Sequence, residues 1–581
     1  GAAQLLYAKH WVPACEGGDV RLCESVATVA AHLGPKPEAV QDVGWALFPT
    51  PGGSAFAVIL AGLEANSLIF VGHAGFWIHA TLVMLFLNLL PISKHFHIIT
   101  AIPNVFVRDL TPPGRLEPMG TMEELGDKVM EAYDAHEAGQ LVQQPVGVGN
   151  IEDFTWKAIL DFYTCTECGR CSDHCPAHRT GKILSPKLLT VALRDHLYAK
   201  QIEVIEDGVV RKPIHPDLEE EEDEVEEEPF NLVGDIVHPD VLWACTTCRS
   251  CEEQCPVMIS YVDKIVDMRR NLVMVRGEFP AEVGRVQEAV QTNGNPWNIS
   301  AMDRANWADG LDIPMMSEKP DAEILFWVGC AASYDDRSKK IARATAKLFK
   351  KAGINFAILG EEETCTGDPL RRAGDEYTFA MQAETNAGTL NGYKDQGGVK
   401  KIVSTCPHCF NTLANEYPDF GAKFEVVHHS EFLDELVQAG KLKPTKKRDE
   451  KVVFHDSCYL GRYNDRYEEP RRVLKVIPGV ELVEAEGANR KKGLCCGAGG
   501  MQMFMEEQNK DRMNNRRVLQ LLDTGATTIA SGCPFCTVML TDGIKSKGKE
   551  EAIKQLDIAE VLAEACEVDD EVKVAPPQAA E

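Results

Sequence analysis

Cysteines at two fixed spacings give this chain its most legible chemistry. Cys165, Cys168, Cys171 and Cys175 precede Pro176, and Cys245, Cys248, Cys251 and Cys255 precede Pro256, so the run C-x2-C-x2-C-x3-C-P occurs twice. Three thiolates at that spacing reach three corners of one [4Fe–4S] cube, and in a doubled run the fourth crosses to the other cube. The expected sets are therefore Cys165, Cys168, Cys171 with Cys255, and Cys245, Cys248, Cys251 with Cys175. Zinc also accepts four thiolates, but eight cysteines in this doubled order argue for paired cubes.

A second group of cysteines follows from about residue 321, where the chain repeats itself. EILFWVGC ends on Cys330, TCTGD carries Cys365, and KKIVSTCPHC carries Cys406 and Cys409. Then KVVFHDSC ends on Cys458, LCCGAGG carries Cys495 and Cys496, and ATTIASGCPFC carries Cys533 and Cys536. Short β-rich runs that end on cysteines and lead into amphipathic helices, such as Ser338 to Ala352, predict α/β halves with the thiols at the strand ends. Open sheets of that kind bind cofactors at that edge.

This repeat resembles the CCG cysteine-rich domain of heterodisulfide reductases and related iron–sulfur oxidoreductases. The second copy is complete, and the resemblance implies that Cys458, Cys495, Cys496, Cys533 and Cys536 hold a non-cubane [4Fe–4S] cluster and form the catalytic centre. In the first copy Thr366 replaces the second cysteine of the pair, leaving Cys330, Cys365, Cys406 and Cys409. Four thiolates suffice for a further [4Fe–4S] cluster, for zinc, or for a structural site.

Upstream, LIFVGHAGFWIHATLVMLFLNLL (68–90) contains no Asp, Glu, Lys or Arg. A bilayer of about 30 Å needs about 20 such residues, so a membrane span is expected. Lys94, Arg108 and Arg115 follow it, which places the C-terminal side in the cytoplasm. His79 and His97 lie 18 positions apart, in a stretch that resembles the haem-binding helix of the nitrate reductase gamma subunit. The resemblance implies that each binds one of two b haems. On one continuous helix they would stand roughly 27 Å apart. Their partner histidines would come from a missing N-terminal segment or a separate haem-binding subunit, since His10 and His32 are in the wrong context.

The elements needed to position these groups follow from composition. The 581 residues, 44% of them hydrophobic, suffice for several packed domains, and the net charge of −28 argues against nucleic acid as a partner. Clustered cysteines in a large chain suit a reducing compartment, whereas Cys15 and Cys23 stand apart and are either a disulfide or two free thiols. The chain opens on Gly1, which suggests a fragment or a processed product. The expected fold is multidomain, α+β and α/β. Its parts are an extracytoplasmic or interfacial segment (1–67), a transmembrane haem segment (68–110) and a linker (111–150). An α-helical ferredoxin-type domain (151–290) follows, with a solvated acidic insert at 217–228. A linker (291–320), two CCG domains (321–440 and 450–565) and a flexible tail (566–581) complete it. Gly497 to Gly500 reads as room for a cluster. No G-x-G-x-x-G follows a strand, so no flavin or nicotinamide site is expected. His428 and His429 are expected on the surface near a helix start, and Cys566 as an incidental thiol.

Taken together, LLPISKHFHIITAIPNVF, TCTGDPLRRAGDEY, TCPHCFNTLANEYP, CYLGRYNDRYEEPRRVL and LCCGAGG resemble bacterial membrane-bound iron–sulfur electron-transfer-flavoprotein:quinone oxidoreductases over about residues 68–545. The resemblance implies an inner-membrane enzyme with its iron–sulfur domains in the cytoplasm. Electrons would pass from electron-transfer flavoprotein through the clusters and haems to menaquinone. Two alternatives stand beside it. One is a heterodisulfide-reductase-like thiol–disulfide enzyme; the other is an electron-conduit subunit for a flavin dehydrogenase of lactate, glycolate or glycerol phosphate.

Overall fold

The computed structural model describes residues 60, 62–110, 113, 115–137, 146–201, 205–206, 209–210, 230–507 and 509–568. His10, Cys15, Cys23, His32, the acidic insert and residues 569–581 lie outside the described residues. The chain divides into two compact units between Phe96 and His97.

In the first unit, helix α1 (Ala65–Leu89) runs for 25 residues, about 37 Å at 1.5 Å per residue. By length and composition it could cross a membrane. Its large side chains face outward: Phe70 is 74% exposed and Trp77 64%, the reverse of a soluble core helix. Pro91 offers no N–H and Ser93 is extended, so the helix gives way to the short 3-10 turns Leu90–Ile92 and Lys94–Phe96. His97 begins a separate helix, α2 (His97–Phe106), in the second unit. His79 and His97 therefore do not share one continuous helix, and the straight-helix separation does not apply.

Helix α2 turns Thr100 and Asn104 inward while Ile98, Ile102 and Phe106 are exposed. Asn104 fixes it in place, donating to Asp161 Oδ1 at 2.8 Å and to the Val257 carbonyl at 3.0 Å. The ferredoxin-type region packs α3 (Trp156–Thr164), α4 (Pro186–Gln201), α5 (Val262–Arg270) and α6 (Ala281–Asn293) around the cysteine loops. Thr155 caps α3, and Phe162, Leu189, Leu193, Leu242, Ile265 and Met268 form the apolar core beneath. A two-stranded ribbon, Ile205–Glu206 with Val209–Val210, interrupts this helical region.

Two four-stranded parallel sheets follow. The first contains β1 (Ile324–Trp327), β2 (Phe356–Ala357), β3 (Lys401–Ser404) and β4 (Glu425–His428) in the order β2-β1-β3-β4. The second contains β5 (Glu450–Phe454), β6 (Val480–Val483), β7 (Thr528–Ser531) and β8 (Lys554–Asp557) in the order β8-β7-β5-β6. Read from opposite edges, the two windings are the same. The chain reverses direction across the sheet between first and third strands, the place where α/β sheets open a crevice for ligands. Central strands are buried on both faces, as in the apolar run ILFW of β1 and the fully buried β7.

The repeats are not separate globules. Phe326, α7 (Asp336–Lys351) with Phe349, and Phe432 share one apolar core with Phe454, Leu474, Ile558 and Leu562 of the second copy. His428 and His429 belong to this join rather than to the surface: both are fully buried. His428 ends β4 and caps the helix His429–Gln438, as expected for a helix start, while its ring contacts His429 at 3.2 Å. His429 in turn contacts Asp557 Oδ1 of the second sheet at 2.9 Å. Burial, with the neighbouring His429, holds His428 well below the ordinary imidazole range.

Candidate functional site

The ferredoxin motifs fold into two matching loops. Residues two and four places after the first cysteine take left-handed conformations in both: Glu167 and Gly169, then Thr247 and Arg249. Non-glycine residues adopt that region at a cost, and here it turns the thiols inward. Cys165, Cys168, Cys171 and Cys255 line one pocket with Val257, Ile259 and Tyr261. Cys175 lies in the electrostatic field of Cys245 and Cys248, and Cys251 in that of Cys175. The chain thus brings together the two crossed sets.

Burial pushes Cys165 up to about 11 and Cys245 up to about 11. Among the described residues, none of the eight cysteines forms a disulfide. Thiols so desolvated stay protonated at neutral pH, and a thiophilic metal would displace those protons. The donor sets fit iron–sulfur clusters.

In the second CCG copy, Cys458 follows β5, Cys495 and Cys496 follow β6, and Cys533 and Cys536 follow β7. All five are buried, and the Cys536 and Cys496 sulfurs stand 3.3 Å apart. Gly497, at φ +98°, turns its N–H to Cys495 Sγ at 3.3 Å. Burial raises Cys533, but hydrogen bonding with Cys536 and the His408 charge bring it down to about 7.

The first copy gathers Cys330, Cys365, Cys406 and Cys409 in the same way. Gly367, at φ +79°, repeats the glycine turn and donates to Cys365 Sγ at 3.4 Å. Thr366 puts its hydroxyl 3.8 Å from Cys409 Sγ, in place of a thiol. Buried Arg304 reaches Cys330 Sγ at 3.4 Å and pairs with Glu363 at 2.7 Å. Hydrogen bonding with Cys365, opposed by burial and aided by Arg304, draws Cys330 down to about 7.

The second copy also touches the second ferredoxin loop. Cys248 packs in one apolar group with Cys458, Cys495 and Cys496. Arg462 Nε donates to the Cys248 carbonyl at 2.6 Å, and the Tyr463 hydroxyl to the Thr247 carbonyl at 2.5 Å. A Cβ on Gly499 would lie 2.4 Å from the Thr246 carbonyl oxygen, and one on Gly500 2.2 Å from that of Cys245. These two glycines make room for a neighbouring backbone.

On the other side, Ala101 of α2 packs into the apolar group containing Cys165, Cys171, Cys251 and Cys255. His97 opens that helix, half-buried, whereas His79 is exposed on α1. The two histidines occupy separate units.

Several residues escape a reading of the sequence. His408, inside the Cys406-Cys409 loop, bonds Asp368 at 2.8 Å and stacks on Tyr459 of the other copy with ring centroids 3.8 Å apart. Against burial, the Asp368 carboxylate holds His408 above the ordinary imidazole range. His455 sits within 4.8 Å of Cys496 and Cys536. Its position three residues before Cys458 is the available signal. Arg304 and Arg462 give none, because both reach the thiols through tertiary folding.

Comparison with known proteins agrees with this geometry. Residues 324–414 and 452–541 match the cysteine-rich domain CCG, and residues 157–256 match a 4Fe-4S dicluster domain. The chain is 42% identical over 541 residues to the "Probable iron-sulfur-binding oxidoreductase FadF" of Bacillus subtilis, covering 89% of this chain and 73% of that protein. It is 38% identical over 544 residues to the "EtfAB:quinone oxidoreductase" of Syntrophomonas wolfei, covering 91% and 73%. Over 427 residues it is 31% identical to a subunit of the dihydromethanophenazine:CoB–CoM heterodisulfide reductase of Methanosarcina barkeri, covering 71% and 96%. The crossed ferredoxin loops, the tandem CCG sheets and these relatives together place the chain in the family of iron–sulfur oxidoreductases that includes FadF and EtfAB:quinone oxidoreductase, related to heterodisulfide reductase.

Proposed function

We propose that this iron–sulfur oxidoreductase accepts electrons from a flavoprotein, most simply electron-transfer flavoprotein, and delivers them to menaquinone or another quinone at the bacterial cytoplasmic membrane. The observation that carries the reading is the unbroken sequence of thiol groups within the second unit. The second CCG set packs in one apolar group with Cys248 of the Cys175/Cys245/Cys248/Cys251 set. The Cys165/Cys168/Cys171/Cys255 set in turn lies against α2. Iron–sulfur clusters held there would supply one-electron transfer. The protein's share is to bury the thiols, fix their loops with glycine and left-handed turns, and hold the sets in contact. The second copy, with all five cysteines, is the proposed electron entry, and the first copy the proposed site of a further cluster.

The apolar, outward-facing α1 supports membrane anchoring, and the basic residues that follow it, Lys94, Arg108 and Arg115, support iron–sulfur domains in the cytoplasm. His79 and His97 are proposed ligands of b haems, their partners supplied from outside the described residues. Replacement of His97 by Ala should then remove one haem and leave the other; unchanged haem content would remove the assignment.

The deciding experiment is anaerobic reduction of the membrane complex by reduced electron-transfer flavoprotein, following the haem absorption bands. Fast reduction, reversed by a menaquinone analogue, supports donor and direction together. Reduction by dithionite but not by the flavoprotein removes the donor. A dithiol-dependent change in the second-copy EPR signal would instead favour thiol–disulfide chemistry.

A further inference from the structure

The chain leaves β5 at His455, whose N–H donates to the Ala530 carbonyl at 2.8 Å. Its imidazole is 1% exposed. Arg517 Nε donates to the ring Nδ1 at 3.0 Å. A guanidinium N–H can only donate, so Nδ1 accepts and the neutral ring carries its proton on Nε2. Among the described residues that Nε2 has no hydrogen-bond partner. Leaving a buried donor without an acceptor is costly, and the imidazole lies within 4.8 Å of the Cys496 and Cys536 sulfurs.

Arg517 gives a second, independent indication. It is fully buried and, among the described residues, bonds only neutral atoms: His455 Nδ1, the Ala488 carbonyl at 2.7 Å and Gln520 Oε1 at 3.2 Å. Its Nη2 has no partner among those residues. The nearby Asp456 carboxylate is engaged by Arg471, at 2.7 and 3.0 Å. A buried cation in that position calls for anionic compensation, which a thiolate-ligated cluster beside Cys496 and Cys536 would supply.

The same register position in the first copy is Trp327, three residues before Cys330. It too is fully buried with an unpartnered Nε1–H, and it shares an apolar core with Cys406 and Cys409. Each repeat thus places an aromatic N–H at this position without an acceptor among the described residues.

We infer that His455, oriented by Arg517, is a positioning residue whose Nε2–H donates a hydrogen bond to sulfur of the second-copy cluster. The inference rests on the proposed cluster at Cys458, Cys495, Cys496, Cys533 and Cys536. A hydrogen bond to cluster sulfur stabilises the more electron-rich, reduced state, so this donor raises the reduction potential.

The test uses the full chain, purified anaerobically, with iron counted and the second-copy EPR signal identified as the one lost in Cys496→Ala. Absence of that signal and of its iron in the unsubstituted protein would remove the cluster reading itself. Where the signal is present, pulsed EPR should show an exchangeable proton coupling that disappears in D2O. His455→Leu should keep the iron, lose that coupling and weaken one-electron reduction about tenfold, which is about 59 mV. His455→Gln, which restores an N–H, should recover part of the shift. An unchanged potential and coupling in His455→Leu would overturn the inference. If that variant loses its iron, the unsubstituted protein labelled with 15N-histidine decides. Strong nitrogen coupling means direct iron ligation and overturns donation, whereas exchangeable-proton coupling with only weak nitrogen coupling upholds it.

Discussion

Thr366 is where the two CCG repeats diverge chemically. It is 2% exposed and directs its hydroxyl at Cys409, while the corresponding Cys496 approaches Cys536 to 3.3 Å. Glycine turns, strand ends and paired CPxC loops are otherwise equivalent, so the hydroxyl alone separates a four-thiol from a five-thiol set. Thr366→Cys changes volume little. The expected outcome is a second EPR signal resembling that of the second copy, with added iron. No change in spectrum would show that Arg304 and Glu363, and not the missing thiol, define the first site. Conversely, Cys496→Ala should abolish electron entry and leave the ferredoxin-type signals unaltered. Full electron transfer in the folded variant would refute the entry assignment.

The elements are joined by packing that local pattern does not reveal. Phe349 of α7 stands edge-to-face with Phe326, Phe356 and Phe432, with ring centroids 5.6, 5.3 and 5.2 Å away. That aromatic group continues into Phe454 and Leu562 of the second sheet. Phe349→Ala should cost about 3–5 kcal/mol, and because the core is shared, both sheets should lose hydrogen-exchange protection together. Retained protection in β5 and β7 alone would mean that the repeats unfold independently. Spacing makes the cysteine loops readable, since C-x2-C geometry is fixed within a few residues, and strand periodicity locates the sheets. His428 and His429 read wrongly as surface residues because their burial depends on Asp557, more than a hundred positions away. The break after Leu89 is half-visible in Pro91, yet an apolar run does not show that His97 starts a new helix.

At the level of the molecule, the order of the thiol sets depends on how closely the second CCG copy approaches the ferredoxin loops. That approach is a backbone contact made possible by Gly499 and Gly500. A Cβ at Gly500 would fall 2.2 Å from the Cys245 carbonyl oxygen, and the residue has φ +60°. Neither the clash nor the left-handed conformation is relieved by moving a side chain. Tyr459 and Tyr463 reinforce the join through Thr247, and Arg462 through the Cys248 carbonyl. All of these fix the loop that holds Cys245 and Cys248. Because electron tunnelling falls steeply with distance, a small separation here should matter more than an equal one elsewhere on the surface. Gly500→Val should therefore retain both sets of ligands and their iron while slowing passage between them. In stopped-flow reduction by the flavoprotein donor, the second-copy centre should reduce first and the ferredoxin-type centres lag. Magnetic coupling between them should weaken in EPR. Unchanged rates and coupling, with iron content intact, would show that electrons reach the ferredoxin loops by another route, leaving the first CCG copy and its His408–Tyr459 stack as the path to examine.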